Sequence, residues 1–214
     1  MEQALSGEWI SAKYSPLVTC AFGYALLAAT VWTSGTTQVC FVLVDGAFFL
    51  AAAIVAFRNN KFELPRITIT AVITGIGILV AGVVVLAGWQ FGTLHKLFGK
   101  PVPWFYGVLY FVWAIAQQWI QQAFFYSRLE PFLSRHGAGL IAGALFGLIH
   151  LPNPVLAPVT FVGGWLMSEV FRRYRSVVPL GIVHGLVGLA IAVVVPDHIN
   201  HQMEVGLGYL QWGG

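Results

Sequence analysis

Seven apolar segments alternate with short polar segments along the 214-residue chain. They cover approximately residues 17–33, 39–57, 67–88, 104–126, 138–151, 155–171 and 177–195. About 20 predominantly apolar residues are needed to span the ~30 Å hydrocarbon core of a bilayer. The pattern therefore predicts an all-α polytopic membrane protein with about seven transmembrane helices. The fifth segment is short and ends in HLPNP, where prolines end the helix.

The basic residues predict how the chain is oriented in the membrane. Two of the eleven Lys and Arg residues, Lys96 and Lys100, lie between the third and fourth segments, on one side of the membrane. The other nine lie in segments predicted on the opposite side: Lys13, Arg58, Lys61, Arg66, Arg128, Arg135, Arg172, Arg173 and Arg175. The positive-inside rule then predicts a cytoplasmic N-terminus and an extracytoplasmic C-terminus in an integral, multi-pass membrane protein.

The composition is typical of a membrane protein and argues against a nucleic-acid-binding protein. The chain is 58% hydrophobic and 9% charged, with a mean hydropathy of +0.79. The formal net charge of +3 does not indicate nucleic-acid binding. Sites of that kind need clustered basic residues, whereas these are scattered singly over loops.

Four glutamines interrupt the fourth apolar segment. Gln117, Gln118, Gln121 and Gln122 would occupy about 140° of an α-helix at 100° per residue, which makes one polar stripe. Amide side chains in a membrane helix most simply form hydrogen bonds between helices. Polar groups at membrane depth are costly, however, and usually face the interior of the helix bundle.

Two histidines in later segments are predicted to face the same interior. Gly139, Gly143 and Gly147 form a small-xxx-small stripe in the fifth segment, and Phe146 and His150 lie on or beside that stripe. The seventh segment repeats the design with Gly181, His184, Gly185 and Gly188. Either histidine alone would be read as a hydrogen-bonded structural residue, but polar groups on three helices at one depth predict a site.

The segment after the seventh span carries a weak metal-ligand pattern. His198 and His201 are three residues apart, so they would share one face of a helix, near Asp197 and Glu204. No complete metal-ligand signature is present. The sequence therefore favours a solvated tail and predicts no metal and no cofactor.

The order and spacing of these motifs resemble the CPBP (CAAX protease and bacteriocin-processing, Abi-type) family of intramembrane proteases. In that family one helix carries E-E-x-x-x-R, a later helix carries F-x-x-x-H often followed by L-P-N, and a last helix carries H-x-x-x-N. Three stretches fall on these patterns: Gln117-Gln118-x-x-x-Gln122, Phe146-x-x-x-His150 followed by Leu-Pro-Asn, and His184-x-x-x-Gly188.

The resemblance covers residues 104–195 and implies a CPBP-type four-helix core. The remaining parts are residues 1–103, which hold three predicted spans and an amphipathic interfacial segment, and the tail of residues 196–214. No internal repeat or soluble domain is visible. One structural domain is therefore predicted.

The departures from the family pattern concern its chemistry. The resemblance implies that family members carry a glutamate general base where this chain has Gln117 and Gln118. It also implies an asparagine whose amide helps to bind the oxyanion where this chain has Gly188. A positioned general base contributes about 10²–10⁴ in rate, so its loss predicts severely weakened hydrolysis. Gln122 replaces a family arginine, which would be an unpaired buried charge once the carboxylates are gone. Because four positions change together, natural divergence is favoured over an engineered inactive mutant.

These observations leave three hypotheses open. The first is a catalytically degenerate protease homologue that binds a hydrophobic peptide, a prenyl or acyl lipid, or a helix of a partner membrane protein in its core cavity. The second is an active intramembrane peptidase with His150 or His184 as base. The third is a metal or cofactor site that acts on a lipid or isoprenoid, with the two histidines and an amide oxygen of Gln117 or Gln118 as ligands.

Overall fold

The computed structural model describes residues 2–33, 66–94 and 104–212, together with the isolated helical positions Ala47 and Ile54. All regular elements in these ranges are helices, which confirms the predicted all-α class. The second predicted span, apart from those two positions, and most of the predicted interfacial segment lie outside the described residues.

The described helices cover the other six predicted segments, several with boundaries shifted by a few residues, and two short helices lie in the predicted tail. The first helix begins well before residue 17, and the fourth segment stays helical to Leu129 rather than ending at residue 126. The helices are α1 (Glu2–Thr33), α2 (Ile67–Gln90), α3 (Trp104–Gln118), α4 (Ser127–Leu129), α5 (Arg135–Leu148), α6 (Leu156–Tyr174), α7 (Val178–Val194), α8 (Asp197–Asn200) and α9 (Gly206–Leu210).

Two helices in the described ranges are long and apolar enough to cross a membrane without a break. These are the Ser15–Trp32 part of α1 and the whole of α2. A third candidate span is long and apolar enough only when α7 and the Asp197–Met203 segment are taken together, and these two meet at a bend of 119°. Apolar side chains of α2 such as Leu79 and Leu86 are exposed, as a lipid-facing helix requires. The helices thus support an integral membrane protein, while the number of crossings and the orientation stay predictions.

A π-helical segment, Trp119–Tyr126, joins α3 to α4 and was not predicted. Its hydrogen bonds close wider turns than those of an α-helix. Side chains of the following turn satisfy two of its carbonyl groups. The Ser127 hydroxyl donates to Gln122 O at 3.0 Å, and Arg128 Nη1 donates to Phe124 O at 3.0 Å. Segments of this kind occur frequently at functional sites.

Glycines bring α5 and α6 into backbone contact. A Cβ atom at Gly143 would lie 2.7 Å from Trp165 N and 2.8 Å from Phe161 O. At Gly147 it would lie 2.9 Å from Ala157 O. The predicted role of the glycine stripe in close helix approach is therefore confirmed. The turn that carries His150 follows directly after this tightly packed stretch.

Helix α7 packs against both α2 and α3. Its glycines again allow the contact, because Cβ atoms at Gly181 and Gly185 would collide with Ile115 and Phe111 of α3. Helix α1 closes another side of the bundle through the Tyr24 hydroxyl, which donates to Leu145 O at 3.2 Å. These packings place the polar positions of α3, α5 and α7 around one interior space.

We expect Gly143→Ala to lower the free energy of unfolding by about 1–3 kcal/mol, because the added methyl group meets backbone atoms that cannot move aside. The free energy of unfolding is measured by adding a denaturing detergent to the protein in mild detergent micelles. Gly163→Ala is the matched control, since a Cβ atom there has nothing within 4 Å. Equal stability of the two variants would contradict the proposed close packing.

Candidate functional site

A cavity of about 900 Å³ lies inside the bundle. Its wall combines apolar side chains from several helices with most of the predicted motif positions. The motif residues in the wall are Gln117, Gln118, Phe146, His150, His184 and Gly188. Gln122 does not line the cavity and is fully buried behind it.

Gln118 connects the glutamine motif to the last motif helix. Its side chain is fully buried, and Nε2 donates to Gln121 Oε1 at 3.1 Å and contacts His184 Nδ1 at 3.2 Å. Its Oε1 accepts from Gln122 Nε2 at 3.2 Å. Because an amide nitrogen only donates, His184 Nδ1 accepts, and the ring proton of His184 is on Nε2. His184 therefore presents a hydrogen-bond donor at its other nitrogen.

His150 has the opposite arrangement of ring nitrogens. Its Nδ1 lies 2.6 Å from Phe146 O, and a carbonyl oxygen only accepts, so Nδ1 carries the proton. The lone pair of His150 is then on Nε2. The Phe146 ring contacts both imidazoles edge to face, with centroids 4.8 Å from His150 and 5.6 Å from His184. The cavity wall thus combines one imidazole acceptor and one imidazole donor.

Gln121 lies in the π-helical segment and fixes the packing of a neighbouring helix. Its amide nitrogen packs against Gly164 of α6, and an added Cβ atom at Gly164 would require the amide to shift. Its Oε1 accepts the hydrogen bond from Gln118. A stripe calculated at 100° per residue does not describe this arrangement, because the glutamines divide between an α-helix and a π-helix. Three of the four amides, those of Gln118, Gln121 and Gln122, are nevertheless joined by hydrogen bonds.

The tail folds back onto the HLPNP turn. Asn153 is fully buried, and its Nδ2 lies 3.0 Å from each of three acceptors, Asn200 O, Asn200 Oδ1 and Glu204 O. Its Oδ1 accepts from the backbone N–H groups of Val155 and Leu156 at the start of α6. The expectation of a solvated tail is therefore wrong for Asn200, which is fully buried as well.

Part of this tail contributes to the cavity. Met203, Glu204 and Trp212 belong to its wall. The Gly206 N–H donates to Leu151 O at 2.9 Å, which fixes the tail beside the prolines of the HLPNP turn. Sequence reasoning missed this contribution, since the partners of Asn153 lie 47 and 51 residues away. In the sequence, only Asn153 of the Leu-Pro-Asn motif indicates that a buried polar group here needs a partner.

The tail histidines do not share a helical face, so that part of the metal-ligand pattern is wrong. Helix α8 ends at Asn200, and His201 has a left-handed φ of 46°. His201 Nδ1 lies 2.8 Å from Tyr209 O, and the two rings stack at a centroid distance of 3.9 Å. Within the described ranges, no three His, Cys, Asp or Glu side chains are grouped so that they could hold a metal ion.

Comparison with known protein families supports the resemblance drawn from the motifs. Residues 98–190 match the family model described as "Type II CAAX prenyl endopeptidase Rce1-like". The matched residues include every motif position from Gln117 to Gly188. No curated protein and no solved structure matches the chain.

We expect Gln118→Glu to destabilise the protein, because a carboxylate cannot donate to His184 Nδ1 and would face Gln121 Oε1 while fully buried. Removing the partner of a buried polar group costs about 1–3 kcal/mol, and more for a charge. Thermal unfolding in micelles at neutral pH measures the loss. Gln117→Glu is the matched control, since Gln117 is only half-buried at the cavity wall. Equal stability of the two variants would argue against the buried network.

We expect Asn153→Asp to release the tail, because a carboxylate of the same shape accepts from α6 but cannot donate to Asn200 or Glu204. Limited proteolysis should then cut the tail at Tyr209 and Trp212 faster than in the unchanged protein. Gln202→Glu, which changes an exposed amide of the same tail, serves as the control. Unchanged cutting rates in Asn153→Asp would mean that Asn153 does not hold the tail.

Proposed function

We propose that the protein is a catalytically degenerate member of the family that its residues 98–190 match, the Rce1-like type II CAAX prenyl endopeptidases. In this proposal the protein binds a prenylated peptide in its membrane cavity and releases it uncleaved. The lipid bilayer is its environment, and a partner membrane protein that carries such a peptide would be its physiological ligand.

The chemistry of Gln118 carries the proposal. In the family this part of the motif holds carboxylates, whereas here a neutral amide occupies it and uses both of its ends in hydrogen bonds with neighbouring side chains. An amide does not accept a proton near neutral pH, so it cannot activate a water molecule as a general base. The motif therefore keeps its histidines but lacks the proton acceptor that hydrolysis in the family relies on.

Glu204 does not substitute for the missing carboxylates. Among the described residues that line the cavity it is the only acidic one, and its side chain is exposed. It makes no hydrogen bond to His150 or His184 in the described part of the chain. A general base must lie within hydrogen-bond reach of the water it activates, and that water would have to sit beside the motif histidines.

The composition of the cavity wall favours a ligand with an apolar chain and a peptide group. The volume of about 900 Å³ lies in the range of small-molecule sites. Leu27, Trp113 and Val187 supply apolar surface, and the amide and imidazole groups supply uncharged donors and acceptors. A prenylated peptide combines these two chemistries in one molecule, and the family match favours it over an acyl lipid.

A second candidate is an active peptidase with His150 as base. The lone pair on His150 Nε2 favours it, because an imidazole in this tautomer accepts a proton from water. The two candidates differ in one measurable property, which is cleavage of the bound peptide. A metal or cofactor site is a weaker proposal, since two histidines are fewer than the three protein ligands usual in catalytic zinc sites.

We expect the purified protein in lipid nanodiscs to bind a fluorescent farnesylated tetrapeptide with saturable affinity and to leave it intact, because the cavity is retained while the carboxylate base is absent. Fluorescence anisotropy measures binding, and mass spectrometry of the same samples measures cleavage. The same peptide without its farnesyl group is the ligand control and should bind much more weakly.

Cleavage that disappears in His150→Ala and persists in His136→Ala would overturn the degenerate assignment in favour of the peptidase. His136 is a suitable control because its side chain is 76% exposed and it does not line the cavity. Absence of saturable binding in the unchanged protein would overturn the proposed ligand class.

A further inference from the structure

The hydroxyl group of Tyr110 lies at the cavity wall against Gly188. A Cβ atom at Gly188 would collide with this oxygen and would lie 3.0 Å from Tyr110 Cζ. Both residues line the cavity. The glycine of the last motif therefore leaves space that the tyrosine hydroxyl of α3 fills.

Tyr110 differs from Tyr24 and Tyr126, whose hydroxyl groups donate to other residues of the bundle. The hydroxyl of Tyr24 donates to Leu145 O, and that of Tyr126 donates to Glu130 Oε1. The Tyr110 hydroxyl makes no hydrogen bond with any residue in the described ranges. The Tyr110 side chain is partly buried, and its hydroxyl keeps its hydrogen-bonding capacity free. Because this hydroxyl borders a cavity, a bound ligand can supply the acceptor.

A second donor lies one helical turn away. His184 precedes Gly188 by four residues on α7, so the two positions lie on one face of the helix, with Cβ positions about 5–6 Å apart. The hydrogen bond from Gln118 to Nδ1 places the His184 proton on Nε2. The Tyr110 O–H and the His184 N–H thus form two donors along the same strip of the cavity wall.

We infer that Tyr110 and His184 form a donor pair that binds a carbonyl oxygen of the ligand. A carbonyl oxygen has two lone pairs and can accept from both groups at once. The inference rests on the proposed function, since the carbonyl group belongs to the peptide part of the prenylated ligand. Tyr110 then recognises the peptide, and the apolar wall holds the prenyl chain.

The test compares two probes in nanodiscs, the farnesylated tetrapeptide and methyl farnesyl sulfide, which has the same chain but no carbonyl group. We expect Tyr110→Phe to weaken binding of the peptide about 3- to 10-fold, the effect of one net hydrogen bond, and to leave binding of the sulfide unchanged. Tyr174→Phe is the matched control, because Tyr174 ends α6 and does not line the cavity.

Unchanged peptide affinity in Tyr110→Phe, with the unchanged protein binding both probes, would overturn the donor pair and leave the proposed function standing. Failure of the unchanged protein to bind either probe would overturn both proposals. An equal loss for both probes would also contradict the inference, since it would indicate that Tyr110 acts through packing alone.

A double-mutant cycle with Gly188→Ala provides a second readout. The added methyl group collides with the Tyr110 hydroxyl, so this change should weaken peptide binding when Tyr110 is present. In the Tyr110→Phe background the colliding oxygen is gone, and the same change should have a smaller effect. Additive effects of the two changes would mean that Gly188 does not position the Tyr110 hydroxyl.

Discussion

The hydrogen bond between Gln118 and His184 is the contact on which the arrangement of the site depends. Polar groups at membrane depth need protein partners, because hydrocarbon offers none. Gln118 meets this requirement with one amide group that bonds to Gln121, Gln122 and His184. The same bond fixes the proton of His184 on Nε2. A neutral network of amide and imidazole groups thus lies at the cavity wall.

Two further constraints keep this network in place. Glycines on α5 and α7 allow neighbouring helices to approach to backbone contact, which brings His150 and His184 to the same cavity. Asn153 then joins the start of α6 to the tail and fixes the HLPNP turn that carries His150. The result is a cavity wall that carries the uncharged donors and acceptors of these amide and imidazole groups. Under the proposed function, this wall would bind a peptide group beside an apolar chain.

The spacing of apolar residues and glycines along the sequence predicted much of this fold and part of the site. Hydrophobic segments predicted the helices, and the glycine spacing predicted which faces come close, because both depend on period along one helix. The π-helical segment was missed because the spacing of apolar residues does not mark its wider turns, two of whose carbonyls accept side-chain hydrogen bonds from Ser127 and Arg128. Tyr110 was missed because its role depends on a glycine 78 residues later. Contacts between distant residues of this kind leave no local period in a single sequence.

The proton positions of the two histidines test the central claim most directly. Solid-state ¹⁵N NMR of the histidine-labelled protein in lipid bilayers at neutral pH distinguishes protonated from unprotonated ring nitrogens, and His150→Ala and His184→Ala variants assign the signals. The account predicts a neutral His184 protonated on Nε2 and a neutral His150 protonated on Nδ1. An imidazolium at either residue, or a His184 protonated on Nδ1, would contradict the neutral network built on Gln118.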